Sequence, residues 1–205
     1  MARPLFVPRQ GIRHRTANVN EYSARYSILP DRFYVPTLDE VRKQSRSNAQ
    51  GGEERFRIDE AEEVQTAQEF LDFLKDVEAL YPRYMKLTEK GVSRELARMG
   101  LPVSIYTEWY WKCDLHNLLR FLSLRMDSHA QEEIQAYARA MHALIEPIVP
   151  ITLEAWRDYA FEAMHLTRLE VEAVRGLASG GDGSIQSTNS REQAEWEAKR
   201  ARLGL

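Results

Sequence analysis

Residues 103–126 read VSIYTEWYWKCDLHNLLRFLSLRM, and the change of period inside this stretch decides the fold. Val103, Ile105, Trp109 and Trp111 fall on one side of an alternating run, with Ser104, Glu108 and Lys112 on the other. That is the pattern of a half-buried strand. Asp114 stands where an N-cap belongs, and Leu115, Leu118, Leu119, Leu122 and Met126 then keep helical spacing. A strand passing directly into a helix, with no Gly-rich phosphate loop, no dinucleotide fingerprint and no internal repeat, points to an α+β chain. The expectation is one mostly helical domain with a small, mainly antiparallel sheet.

Downstream, Ser128 and Gln131 have capping-box separation and open a helix through Ile134, Ala138, Met141 and Ile145, ended by Pro147. Thr152 is expected to cap a further helix with Leu153, Trp156 and Ala160 inward. After about Leu177 the run ASGGDGSIQSTNS reads as a flexible linker, and REQAEWEAKRARLGL as a charged helix or tail. The expected division is therefore 1–176 and 177–205. Upstream, Ser93 to Met99 makes a short helix with Ser93 as cap, closed by Gly100 and Pro102. Ile58, Ala61, Val64, Ala67, Leu71, Leu74, Val77, Tyr81 and Tyr84 form one helical stripe, with Gly91 as its stop. Residues 37–57 are polar and read as mobile, and Thr16–Tyr26 as a loop. Residues 4–15 read as a short strand entering a polar segment; an extended chain there sets Arg13 and Arg15 on one face and His14 on the other.

The chain has 205 residues, 43% apolar and 29% charged, with a net charge of −3, which suits an ordinary core and gives no general attraction to polyanions. In the first 36 residues, however, six arginines face only Glu21 and Asp31. Such a local excess suits a phosphorylated small molecule. A single cysteine, Cys113, excludes an internal disulfide. No stretch approaches a membrane span or a signal peptide core, so cytoplasmic is the default. No His, Cys, Asp and Glu set has metal-ligand spacing.

The densest chemistry is RHRTANVNEYSARY, residues 13–26. It brings three guanidinium groups (Arg13, Arg15, Arg25), the His14 imidazole, the Glu21 carboxylate and the Ser23 hydroxyl close in sequence. Arginine meets phosphate through two parallel hydrogen bonds, and a carboxylate accepts from a base or ribose or holds an arginine in place. A solvated salt-bridge network accounts for the same composition. Ser23 lacks an adjacent His–acid pair and reads as a hydrogen-bonding ligand rather than a nucleophile. Cys113 ends an alternating apolar strand and reads as a packed thiol. His129 is read either as a catalytic or as a capping group.

The spacing R-H-R-x5-E-x-S-x-R-Y resembles the hallmark of the flavin-dependent thymidylate synthases. Arg94–Arg98 before Leu101-Pro102, then Tyr106-Thr107, then Leu115–Gln131 agree in order, and the resemblance covers roughly residues 4–165. It implies reductive methylation of dUMP to dTMP with 5,10-methylenetetrahydrofolate as carbon donor, FAD as cofactor and NADPH as reductant. It implies a dUMP pocket from Gln10, Gly11, Ile12 and Arg13, from Glu21, Tyr22, Ser23, Ala24 and Arg25, and from Arg98 and Arg125. Arg125 would meet the pyrimidine edge and stabilise ionised uracil N3, a role for a side chain that cannot itself deprotonate. FAD would contact Arg13, His14, Arg15, Glu21, Asp114, Leu115, His116 and Arg120. Here Asp114, His116 and Arg120 replace the Asn, Arg, and His or Asn of many members, and Gly11 replaces a common aromatic.

The resemblance further implies a homotetramer with sites shared between subunits, and no nucleic acid or membrane partner. Members carry a substantial segment upstream of the point matching Met1, so the expectation is an N-terminally truncated catalytic part. A non-catalytic nucleotide-binding remnant of the same fold is the alternative reading.

Overall fold

The structure, a computed structural model, describes residues 1–14, 16–45, 51–127 and 129–205. From the N-terminus run β1 (Ala2–Pro4), the single turn α1 (Pro8–Gly11), β2 (Asn18–Glu21), β3 (Arg42–Gln44), β4 (Gly52–Arg55), α2 (Ala61–Glu78), α3 (Tyr81–Glu89) and α4 (Arg94–Ala97). They are followed by β5 (Tyr106–Lys112), α5 (Leu115–Arg125), α6 (Glu132–Ile145), α7 (Pro150–Trp156), α8 (Arg168–Ala178) and α9 (Ser190–Leu203). The mostly helical α+β character with a small antiparallel sheet is as expected. Contacts divide the chain into two units, Met1–Leu153 and Glu154–Leu205. The Gly- and Ser-rich run after Leu177 lies inside the second.

In the first unit β5 is the central strand of a three-stranded antiparallel sheet ordered β1-β5-β2. Within β5 the alternation is the expected one, with Thr107 and Trp109 buried and Glu108, Tyr110 and Lys112 exposed. Ahead of it Val103 is exposed and Ser104 buried, the reverse of the expectation, because the strand begins only at Tyr106. Arg3 lies opposite Thr107, and Glu21 opposite Trp109. Asp114 caps α5, its carboxylate accepting from Asn117 N and Nδ2 at 2.8 Å each. Behind the cap, Phe121 and Leu122 are fully buried, each burial contributing about 1.5–3 kcal/mol. α6 ends at Ile145, ahead of Pro147.

Several expectations are corrected. The strand expected from residue 4 onward ends at Pro4, and Pro8 starts a helical turn, because proline lacks the N–H of a strand ladder and its fixed φ suits a first helical position. Residues 18–21 are not loop but β2; their polar side chains hid an edge strand with only Val19 half-buried. Within the stretch 37–57 read as mobile, Arg42–Gln44 and Gly52–Arg55 pair as antiparallel strands, while 46–50 lie outside the described residues. The single helix expected over 58–84 is two: Pro82 cannot donate to the preceding turn, and α3 restarts at Tyr81. Gly91, at φ 90°, closes α3 as expected. Ser93 occupies the N-cap position of α4 without a side-chain cap bond. The Ser128 cap lies outside the described residues. α7 begins at Pro150, so Thr152 is not its cap, and Ala160 is exposed.

A core cluster of Ala24, Leu29, Tyr81, Tyr84, Ala97 and Ile105, with Leu5, Phe33, Met85 and Leu101 against it, seats the chain after β2 on α3 and α4. Tyr81 Oη fixes that seat by donating to Leu29 O at 2.6 Å.

In the second unit the C-terminal stretch is an ordered helix. Thr167 and Glu170 form a capping box on α8. Lys199 Nζ on α9 reaches both carboxylate oxygens of Glu170 at 2.8 Å. Trp196 is buried, and its Nε1 donates to Gly183 O at 2.8 Å. Gly183 takes φ +70°, and a Cβ there would meet Leu177 Cγ at 2.4 Å, so glycine is required on both counts.

Candidate active site

The turn α1 and the end of α5 bring Gln10, His14 and Arg125 together. Arg125 Nε donates to His14 Nε2 at 3.1 Å, and Nη2 donates to Gln10 O at 3.3 Å. His14 is therefore the neutral tautomer with its proton on Nδ1. Burial lowers the His14 pKa, and the charges of Arg125 and Arg120 lower it further. Burial likewise lowers that of Arg125, with Arg13 adding repulsion. No carboxylate pairs with this cluster among the described residues. Phe121 supports it, packing edge-on with its ring centroid 4.9 Å from that of His14 and 5.0 Å from that of Trp111.

Gln10 Nε2 donates to Gln131 Oε1, tying the start of the motif to the N-terminus of α6. From the sequence Gln131 reads only as half of a capping box and as the close of the matching stretch Leu115–Gln131, not as a site residue. It also borders an apolar cavity of about 750 Å³ that includes Phe6, Tyr34, Phe56, Phe70 and Phe73. That size is ordinary for a small-molecule site.

Gly11 is buried against a second cation. Arg3 is fully buried, its guanidinium 4.6 Å from the Trp109 ring, and a Cβ on Gly11 would meet Arg3 Nη1 at 3.3 Å. Ile12 and Arg13 are exposed at the end of the turn.

The second half of the motif forms a different group. Glu21 Oε1 accepts from Thr107 Oγ1 at 2.8 Å. Ser23 Oγ accepts from Arg25 N at 3.4 Å, Ala24 is buried in the core, and Tyr22 Oη donates to Ile28 O at 3.3 Å. Arg25 pairs with Glu95 at 3.1 Å, and Arg94 donates to Tyr26 O at 2.6 Å. Arg98 sits half-buried on the turn after α4. Among the described residues, no hydrogen bond or ion pair joins this group to Arg125.

Asp114 spends its carboxylate on the cap, which holds it below the ordinary range. Leu115 is half-buried and His116 and Arg120 are exposed on α5, the first two at its start. Arg15 lies outside the described residues. Burial and the neighbouring Asp114 push the Cys113 thiol up, in keeping with a packed, unreactive sulfur. His129 is exposed and bound to Asp127 at 2.8 Å.

A small antiparallel sheet with helices, bearing at one place the Arg125–His14–Gln10 cluster, makes this an α+β protein. The chain belongs to the family described as thymidylate synthase complementing protein, whose model matches residues 2–151. It is 62% identical to the flavin-dependent thymidylate synthase of Dictyostelium discoideum, covering 98% of this chain and 62% of that protein. It is 46% identical to that of Ehrlichia ruminantium strain Gardel, covering 94% of this chain and 63% of that protein. It thus spans less than two thirds of these relatives. Among solved structures it is similar to the UMP/dUMP methylase PolB from Streptomyces cacaoi bound with 5-Br UMP. That match has a TM-score of 0.67 and 30% identity, over 78% of this chain and 72% of that one.

Proposed function

We propose that this chain carries out the reductive methylation of dUMP to dTMP, with FAD as cofactor, 5,10-methylenetetrahydrofolate as carbon donor and NADPH as reductant. The observation that carries the reading is Arg125, seated by His14 and Gln10 and with no carboxylate partner among the described residues. The relatives' name, flavin-dependent thymidylate synthase, and the 5-Br UMP in the PolB structure support it.

In this reading Arg125 faces the pyrimidine edge and stabilises negative charge on uracil N3, making C5 the nucleophile. A charge fixed in advance by two hydrogen bonds needs no reorganisation when the uracil ionises. Neutral His14 holds Arg125 without competing for that negative charge. Arg13, Arg25 and Arg98 receive the phosphate, and Glu21 and Ser23 orient the nucleoside. The unneutralised cluster fits an anionic flavin as well, with Arg13, His14, Arg15, Glu21, Leu115, His116 and Arg120 as its holders and the backbone N–H groups at the start of α5 as donors. When bound, the flavin supplies the hydride that reduces the transferred methylene to a methyl group. Asp114 contributes by fixing that helix start.

Because Arg25 and Arg125 belong to unconnected groups within one chain, we take the working site to be assembled from several copies in a homotetramer, with residues 1–176 as the catalytic part. The test is flavin uptake followed by release of the C5 hydrogen of dUMP with NADPH and methylene-folate supplied. Yellow protein that releases tritium from 5-tritiated dUMP supports the assignment. No flavin uptake and no release overturns it.

A further inference from the structure

We infer that Thr107 is a positioning residue whose hydroxyl aims the Glu21 carboxylate at the nucleotide, with the buried Arg3 guanidinium behind both. The inference deepens the reading above and rests on it for the identity of the ligand.

Thr107 is the second residue of β5, opposite Arg3 of β1 and just before the β2 pairing begins, and is only 2% exposed. A hydroxyl so deeply buried must find a partner or lose its hydration uncompensated. It finds Glu21 Oε1 at 2.8 Å. Glu21 stands opposite Trp109, two residues along β5, so Thr107 reaches it diagonally on the same face of the sheet. Glu21 itself is exposed, and no protein donor reaches its Oε2 among the described residues. One carboxylate oxygen is thus tethered from inside while the other stays available to a sugar hydroxyl or a base N–H.

Arg3 completes the arrangement. It lies opposite Thr107 in the β1–β5 register, is fully buried, and leaves Nε and Nη2 without a partner. Its charge is opposed chiefly by burial, and favoured by Tyr137 and then by Glu21, the carboxylate that acts on it among the described residues. The pair behaves as a buried cation drawing a surface carboxylate towards the sheet, while Thr107 sets its orientation. A glutamate held this way has lost its rotamer freedom before ligand arrives.

The test uses the flavin-loaded chain, with dUMP as the probe in titration calorimetry. Thr107→Val keeps the shape and removes the hydroxyl; Thr107→Ser keeps the hydroxyl. The valine variant is expected to bind dUMP about tenfold more weakly and the serine variant within about twofold of the unaltered protein, the yield of one hydrogen bond. In a Glu21→Ala background Thr107→Val should add no further loss. Equal losses for valine and serine, no loss for valine, or a loss that persists without Glu21 would overturn the inference. A second readout needs no ligand: the carboxyl carbon resonance of Glu21, assigned from Glu21→Gln, should move in Thr107→Val and stay in Thr107→Ser. If the unaltered chain binds no dUMP, the functional reading fails, and this resonance still decides the role of Thr107. An unmoved resonance in the valine variant overturns it. Should valine prevent folding, Thr107→Ala takes its place with the same outcomes.

Discussion

Arg125→Ala is the most informative single change. The side chain is half-buried and makes two hydrogen bonds, to His14 Nε2 at 3.1 Å and to Gln10 O at 3.3 Å. Both are long, so in the free protein their joint loss should cost only about 1 kcal/mol. For a chain of this length that lowers Tm by about 2–4 °C. The reaction is affected much more, because the same guanidinium is required where uracil charge develops. Losing one fixed donor at such a point slows turnover about 10²- to 10³-fold. Thermal melts and tritium release from 5-tritiated dUMP, at saturating dUMP, measure the two effects on one preparation. Arg125→Lys keeps the charge but not the two-bond seat and should recover little of the loss. Turnover within about tenfold of the unaltered protein for alanine would refute the role given to Arg125. Full activity for lysine would refute the importance of its seating.

Three further outcomes are expected. Folding lowers the His14 pKa below its ordinary 6.5, so the stabilising contribution of the neutral ring is present above pH 6.5 and fades as pH falls through the folded-state value. Melts from pH 7.5 down to pH 5 should show this loss, and His14→Gln should reduce it. Asp114→Ala should cost about 1 kcal/mol through the lost cap and weaken flavin uptake by loosening the helix start that donates to it, as read by denaturant melts and flavin absorbance. Lys199→Met removes the charged partner of the buried Glu170 carboxylate, leaving it the Thr167 N–H, and should destabilise the C-terminal unit by about 1–2 kcal/mol, seen as faster amide exchange in α8 and α9.

What the sequence made legible was governed by how local each signal is. The passage from β5 into α5 could be read because alternation, the Asp114 cap and the leucine spacing sit side by side. The α2–α3 break was concealed because Pro82 falls inside an apolar stripe that stays in phase across it. β2 was concealed because Asn18, Asn20 and Glu21 carry no strand-like side chains; its pairing to Trp109 and Trp111 makes it a strand. The C-terminal run looked like a linker because its glycines were read as freedom. Gly183 instead lets the chain pass close to Leu177 and accept from Trp196. In the site, Arg13, His14 and Arg125 were legible through the family resemblance. The bonds that seat Arg125 were not, since its partners His14 and Gln10 lie 111 and 115 positions away. Arg3 was counted as one more surface charge, and only the fold buries it on Trp109.

The most direct trial of the central claim is to locate 5-bromo-dUMP in crystals of the flavin-loaded protein by the anomalous signal of its bromine. The account expects the bromine within reach of the flavin ring, the uracil edge hydrogen-bonded to Arg125, and Arg13, Arg25 or Arg98 on the phosphate. A bromine found away from the Arg125–His14 pair, or a nucleotide whose uracil meets no arginine, would contradict it.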